Sequence, residues 1–216
     1  MLTFLKSFVK VLKEQHLLEK TIFDSLQKNA TLLVKSDFPE LQEAYKALCI
    51  RHNITSPPSV YVHSCSPAGA YAFTKKNAIF LNDFFLNQYS HEERISILAH
   101  ELGHVLRGDI GASVRHKELA TDRLAVTMIG DHAPLASVIR HTATQFNQEQ
   151  DLLAQSGWMG RTAQFFRHQQ LKQNYGTHAE RLANALHCDT KAEQTQLDKL
   201  LEERKRASIV HRPFFR

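Results

Sequence analysis

The chain has 216 residues, of which 43% are hydrophobic and 23% are charged, as is typical of one sizeable globular domain with its own core. Its net charge of +5 is too mildly basic to indicate a nucleic-acid partner by itself. The cysteines Cys49, Cys65 and Cys188 are odd in number and widely spaced, so we expect free thiols in a reducing compartment and no disulfide framework. No stretch approaches 18 consecutive apolar residues, so no transmembrane helix is predicted.

Residues 1–20 are predicted to form a basic amphipathic helix. Lysines interrupt its apolar runs and no small-residue cleavage site follows, so the segment does not have the pattern of a signal peptide. We expect this helix to pack on the domain, with peripheral contact to a membrane surface as the alternative. Without a signal peptide or a transmembrane helix, the expected location is cytoplasmic.

Two further segments before residue 53 have helical periodicity, 21–35 and 39–52. A linker with two prolines follows at 53–58. We therefore expect an N-terminal helical segment, residues 1–56, that packs on the rest of the protein.

A small β-sheet is predicted next, because 59–63 alternates like a strand, and 71–74 and 78–81 read as a hairpin. An exposed edge strand can bind an extended peptide through main-chain hydrogen bonds. An ordinary structural strand is the alternative interpretation. The candidate residues for such a substrate strand are Ala70, Tyr71, Ala72 and Phe73.

The most informative stretch is a helix predicted over 90–108. Ser90 and Glu93 have the spacing of a capping box at its start, and Gly108 is a natural stop at its end. One face is apolar, because hydrophobic residues recur at helical spacing: Ile95, Leu98, Leu102, Val105 and Leu106.

This helix carries the sequence His-Glu-x-x-His at His100, Glu101 and His104. Residues four apart project from the same side of a helix, so the two imidazoles can bind one metal ion. Glu101 lies about 100° round the helix, where its carboxylate can reach a metal-bound water without filling the third ligand position. A pair of core histidines hydrogen-bonded to carbonyl groups is the structural alternative.

A zinc site that performs chemistry takes three protein ligands and keeps a position open for water. A second helix is predicted over 113–130, and a short turn at 107–111 would fold it back against the first. Glu118 and Asp122 share one of its faces, so Glu118 is the candidate third ligand and Asp122 the acceptor that orients a ligand histidine. His116 is the competing third ligand, and two solvated acids on an exposed face are the remaining alternative.

The chain is predicted to be helical again at 134–155, 161–173 and 177–187. The last helical prediction, 191–207, is highly charged and leads into a basic tail. We therefore divide the chain into the N-terminal segment 1–56, a core of residues 57–190, and a charged C-terminal helix with its tail, residues 191–216.

The combination of His100-Glu101-Leu102-Gly103-His104 with Glu118-x-x-x-Asp122 resembles the gluzincin peptidases of the HtpX and CAAX-prenyl-protease type. The predicted strands at 57–81 resemble the sheet that precedes the zinc helix in that family, and 177–182 resembles its late Thr-His-Pro…Arg segment. The resemblance extends from about residue 57 to residue 186. Two positions depart from the family pattern: Gly69 stands where Asn is usual, and Ala179 where Pro is usual.

This resemblance implies an α+β fold, mostly helical and zincin-like, with a small β-sheet or hairpin beside the zinc helix. It implies one Zn²⁺ per chain, held by His100, His104 and Glu118. It also implies that His178 and Arg181 are candidates to bind the oxyanion or the substrate.

The function predicted from the sequence is therefore that of a zinc-dependent endopeptidase that hydrolyses protein or peptide substrates, with Glu101 as general base. One alternative is a DNA-associated or regulator-cleaving metalloprotease, which only the basic tail at 204–216 supports. The other is a non-catalytic, zinc-stabilised binding module. The presence of Glu101 disfavours that module, because a structural zinc site does not need this carboxylate.

Overall fold

The computed structural model describes residues 20–65, 69–108, 114–155 and 177–210. These residues form helices around one small sheet, so the predicted α+β, mostly helical architecture is confirmed. The strands are β1 (Ala30–Leu32), β2 (Ser59–His63), β3 (Ala70–Phe73) and β4 (Ala78–Asn82). The helices are α1 (20–28), α2 (Pro39–Arg51), α3 (Asp83–Leu86), α4 (His91–Arg107), α5 (Val114–Ile129), α6 (Ala133–Gln155), α7 (His178–Leu186) and α8 (Thr190–Val210).

The sheet has the strand order β1-β2-β4-β3. Strands β2 and β4 are parallel, whereas β1 pairs with β2 and β3 pairs with β4 in antiparallel fashion. The hairpin predicted from the sequence is therefore confirmed, and its first strand, β3, lies at an edge of the sheet. Asn77 closes the turn between the two strands in a left-handed conformation, with φ of 48°.

Strand β4 is buried along its whole length because both faces of the sheet are covered. Phe80 faces an aromatic cluster with Phe23 of α1 and Phe73 of β3, in which the ring centroids lie 5.3–5.4 Å apart. Ile79 and Leu81 point to the other face and join the main hydrophobic core, to which α2, α4, α5 and α6 contribute. The period of two along the strand thus divides its side chains between two cores.

Helix α4 is the central helix of the main core, and its ends are those predicted from the sequence. The Ser90 hydroxyl accepts a hydrogen bond from the Glu93 N–H, and the Glu93 side chain accepts one from the Ser90 N–H, so the capping box is formed. Gly108 ends the helix with φ of 58°, a conformation that costs glycine little. The helix packs against α5, α6 and α2, and against β3 and β4 of the sheet.

The described part of residues 1–56 contributes strand β1 to the sheet and helix α2 to the main core. The predicted helix over 21–35 is wrong after residue 28, because Ala30–Leu32 pairs with β2 as a strand. The run Ala-Thr-Leu-Leu-Val fits either helix or strand by composition. The available edge of β2 decides the outcome, because it satisfies the backbone groups of this short segment.

Helix α8 begins and ends close to the predicted bounds, and it buries Leu197 and Leu201 in the main core. Apart from residue 20, the predicted N-terminal amphipathic helix lies outside the described residues, as do the predicted helix over 161–173 and the tail after residue 210. Across the described ranges, no helix combines the length and the apolar character needed to cross a bilayer. All three cysteines are free thiols.

Candidate metal centre

Two adjacent helices, α4 and α5, place three potential metal ligands next to one another. His100 and His104 lie one turn apart on α4, and their Nε2 atoms are 3.1 Å from each other. Glu118 faces them from α5, with its carboxylate oxygens 3.4 Å from Nε2 of His100 and 3.4 Å from Nε2 of His104. Among the described residues, this trio is the group of side chains with the donor atoms and spacing to hold a metal ion.

The spacing of these atoms fits a tetrahedral zinc site. Ligands about 2.0–2.2 Å from one ion in a tetrahedron lie roughly 3.3–3.6 Å from each other. The two carboxylate-to-imidazole distances of 3.4 Å lie within this range, and the 3.1 Å between the two Nε2 atoms is slightly shorter. Two imidazole nitrogens and one carboxylate also form a donor set that zinc accepts in catalytic sites.

Asp122 supports His100 from the side away from the candidate metal position. Its carboxylate is fully buried, with Oδ1 3.0 Å from Nδ1 of His100. Arg181 donates two hydrogen bonds to the same carboxylate, from Nε to Oδ2 at 2.8 Å and from Nη2 to Oδ1 at 2.7 Å. The buried charge is thus compensated, and a proton on Nδ1 leaves Nε2 of His100 free to bind a metal.

Thr121 stands in the corresponding place beside the second histidine, and sequence reasoning missed it. Its Oγ1 lies 3.3 Å from Nδ1 of His104, and the residue is fully buried. A signal for it exists in the sequence, because residues three apart on a helix share a face and Thr121 follows Glu118 by three. A threonine on a helix is nevertheless common, and the sequence does not show that α4 brings His104 within reach of this hydroxyl.

The carboxylates beside His100 favour the charged form of its imidazole. Burial disfavours a charged His100, but the contacts with Asp122 and Glu118 outweigh burial and raise the pKa of His100 to about 10. The pKa of Glu118 is well below its usual range, because contacts with His100 and His104 outweigh the effect of burial. A divalent cation competes with protons for the same imidazole nitrogens, so a field that favours a proton on His100 also favours a metal there.

Glu101 is buried next to the ligand histidines and is 8% exposed. Burial raises its pKa above the ordinary value, although the neighbouring His100 and His104 oppose this shift. Its carboxylate does not belong to the trio that could hold the metal ion. It is therefore placed beside the candidate ligands, as the helical spacing predicts.

The two basic residues predicted near the substrate lie on helix α7, which packs against α5 and α6. His178 is the first residue of this helix, with its ring centroid 5.6 Å from that of Phe146. Burial and the charge of Arg181 lower the pKa of His178. Arg181 binds Asp122 as described, and its Nη1 lies 3.6 Å from Oε2 of Glu118, so it contacts both carboxylates beside the histidines.

The structure brings Glu118, and not His116, to the two histidines, because His116 lies on the exposed side of α5. The predicted substrate strand is β3, an edge strand that packs against α4. Its four residues are partly buried except Phe73, which is buried in the aromatic cluster. The edge strand β3 therefore packs against the same helix, α4, that carries His100 and His104.

Comparison with known proteins gives one finding. The family model described as Peptidase family M48 matches residues 35–207, which is most of the chain. This range includes all the candidate ligands, the residues that support them, and strand β3. No curated protein and no solved structure matches the chain.

Proposed function

This chain belongs to peptidase family M48, a family of zinc metallopeptidases, and from that premise we propose that it is a zinc-dependent endopeptidase with Glu101 as its general base. The observation that carries the proposal is the trio of donor atoms 3.1–3.4 Å apart, with the buried carboxylate of Glu101 next to His100 on α4. The proposed substrates are proteins or peptides.

His100, His104 and Glu118 are the residues that would hold the zinc ion. Bound there, zinc would lower the pKa of a water molecule toward neutrality and polarise the scissile carbonyl. Asp122 would accept the Nδ1–H of His100, since its Oδ1 lies 3.0 Å from Nδ1, and Nε2 would then present its lone pair to the metal ion. Arg181 compensates the buried charge of Asp122 and holds this carboxylate in place.

Glu101 would act as the general base and then as the general acid. Its carboxylate accepts a proton from the attacking water as the water oxygen bonds to the carbonyl carbon. It then donates that proton to the amide nitrogen as the carbon–nitrogen bond breaks. Glu101 is buried and directly follows His100 on α4, which supports this role.

The substrate would lie along β3 as an additional antiparallel or parallel strand. Main-chain hydrogen bonds to Ala70–Phe73 would hold an extended peptide beside α4, which carries Glu101 and the two histidines. His178 is the proposed donor to the oxyanion, because Arg181 already binds two carboxylates.

Replacing Glu101 with Gln tests this proposal. The amide has almost the same shape but cannot accept the proton, so we expect peptide hydrolysis to fall by about 10²–10⁴-fold. Zinc content should stay at one ion per chain, because Glu101 is not a ligand. Both quantities can be measured on the purified chain, with metal analysis for zinc and denatured casein or a quenched fluorescent peptide library for hydrolysis.

Glu92→Gln is the matched control, since Glu92 lies on the same helix but is exposed in its first turn. We expect it to retain both zinc and activity. Wild-type hydrolysis by the Glu101→Gln variant would contradict the proposed base. One zinc per chain with no hydrolysis by the wild type would favour the binding module instead.

A further inference from the structure

The two candidate ligand histidines receive different support on the side away from the metal position. Nδ1 of His100 faces the carboxylate of Asp122 at 3.0 Å. Nδ1 of His104 faces the hydroxyl of Thr121 at 3.3 Å. One histidine therefore has an anionic partner and the other has a neutral one.

The Thr121 hydroxyl is held in place by close packing between α4 and α5. Thr121 is fully buried, and its methyl group Cγ2 lies against the backbone of Gly103. A Cβ atom at position 103 would lie only 2.9 Å from this methyl group. Because a β-branched side chain has few rotamers in a helix, a methyl group fixed at Gly103 also fixes the direction of the hydroxyl.

The chemistry of a metal-bound imidazole gives this hydroxyl a function. An imidazole that binds a metal through Nε2 carries its proton on Nδ1 and needs an acceptor for that N–H. The hydroxyl oxygen of Thr121 lies within hydrogen-bond distance of Nδ1 of His104. A neutral acceptor sets the tautomer and the ring plane, but it adds less basicity to the imidazole than a carboxylate does.

We propose that Thr121 is the positioning residue for His104: its hydroxyl accepts the Nδ1–H and so directs Nε2 at the zinc ion. This inference deepens the proposed function and rests on the proposed zinc site. It assigns no contact between Thr121 and the substrate. The effect of Thr121 on zinc is exerted through the ring of His104 alone.

Two pairs of variants isolate the hydroxyl from the methyl group. Thr121→Val keeps the branched shape and replaces the hydroxyl with a methyl group, so the wild type and the Val variant differ only in this hydroxyl. Thr121→Ser and Thr121→Ala both lack Cγ2 and differ only in the hydroxyl. The Ser and Ala pair keeps the test decisive if the Val variant does not fold.

The measurement is zinc affinity, determined by competition with a chelator of known affinity. We expect Val and Ala to bind zinc about 10–100-fold more weakly than wild type, and Ser to restore most of the affinity. Thr127→Val is the matched control on the same helix. Thr127 is also buried, but its hydroxyl donates to the backbone carbonyl of Arg123 and lies away from the ligands, so zinc affinity should not change.

A second readout reports the hydrogen bond itself. In the zinc-loaded protein, the Nδ1–H of His104 should exchange slowly with solvent in wild type and in the Ser variant, and faster in Val and Ala. Nuclear magnetic resonance of ¹⁵N-labelled histidine detects this proton. A general loss of packing would not be rescued by Ser, which lacks the methyl group just as Ala does.

Equal zinc affinity in the Ser and Ala variants, with unchanged exchange of the His104 proton, would overturn the assignment of Thr121. A wild-type chain that binds no zinc would instead overturn the proposed function. Because zinc affinity is measured without substrate, the two failures are distinguishable.

Discussion

At the scale of single residues, the candidate site depends on a few buried charges that compensate one another. Glu118 and Asp122 are carboxylates of low exposure, and both lie close to the guanidinium of Arg181. A buried carboxylate without a partner would destabilise the fold by roughly several kcal/mol. Arg181 therefore makes it possible to place two acids beside two histidines, and it links α7 to the centre of the site.

The choice of the third ligand is testable at this scale. Glu118→Gln should lower zinc affinity sharply, because an amide oxygen is a weak zinc ligand and carries no charge. His116→Gln should leave zinc affinity unchanged, since His116 lies on the exposed side of the same helix. Chelator competition on both variants decides the matter, and the reverse result would make His116 the ligand.

At the scale of secondary structure elements, the site depends on how closely α4 and α5 approach. Gly103 makes this approach possible, because any larger residue would meet Cγ2 of Thr121 at 2.9 Å, and that short side chain has little freedom to move away. The remaining neighbours of a Cβ at position 103 lie at ordinary contact distances, with Cδ2 of Leu124 at 3.5 Å. The steric conflict is thus confined to one methyl group.

Gly103→Ala should therefore destabilise the protein even though alanine is the better helix former. Overpacking costs about 1–3 kcal/mol, and the gain in helix propensity is about 1 kcal/mol, so we expect a net loss of about 1 kcal/mol. In a Thr121→Ser background the methyl group is gone, and the same substitution should be neutral or stabilising. Urea unfolding with excess chelator measures both free energies of unfolding without a contribution from zinc affinity.

The double-mutant cycle gives the coupling between the two positions directly. A free-energy change on Gly103→Ala that is the same in both backgrounds would contradict the close contact between Gly103 and Thr121.

At the scale of the whole molecule, the candidate zinc ligands and their partners connect separate parts of the chain. The candidate ligands come from α4 and α5, and Arg181 of α7 binds the carboxylate of Asp122 beside them. Arg204 of α8 donates to the carbonyl of Val105 near the end of α4 and to Asn77 in the turn between β3 and β4. Arg204 thus connects α8 both to α4, which carries His100 and His104, and to the turn after the edge strand β3.

Zinc should therefore stabilise the whole fold and not only the site. At a free zinc concentration about 1,000 times the dissociation constant, binding to the folded state alone adds about 4 kcal/mol to the free energy of unfolding. Thermal or urea unfolding with zinc and with chelator measures the difference. The Glu118→Gln variant should show a much smaller zinc-dependent shift, and an equal shift in that variant would indicate a metal site elsewhere.

Much of the site could be predicted from sequence because its determinants are local. The capping box at Ser90, the stop at Gly108 and the spacing of His100 and His104 all act within one helix, so the sequence predicts the helix and the shared face of its histidines. The pairing of Glu118 with Asp122 follows from the same periodicity on α5. Strand β2 was predictable because 59–63 alternates, and β3 and β4 were predictable because two apolar runs flank a short turn.

Only the tertiary structure decided the features that depend on contacts between distant segments. Ala30–Leu32 is a strand because β2 offers it a partner, although its composition also fits a helix. The proximity of Glu118 to the two histidines, the pairing of Arg181 with Asp122, and the approach of Thr121 to His104 each require helices to meet at a particular angle and distance. Periodicity assigns a residue to a face of its own helix, whereas packing decides which side chain of another helix that face meets.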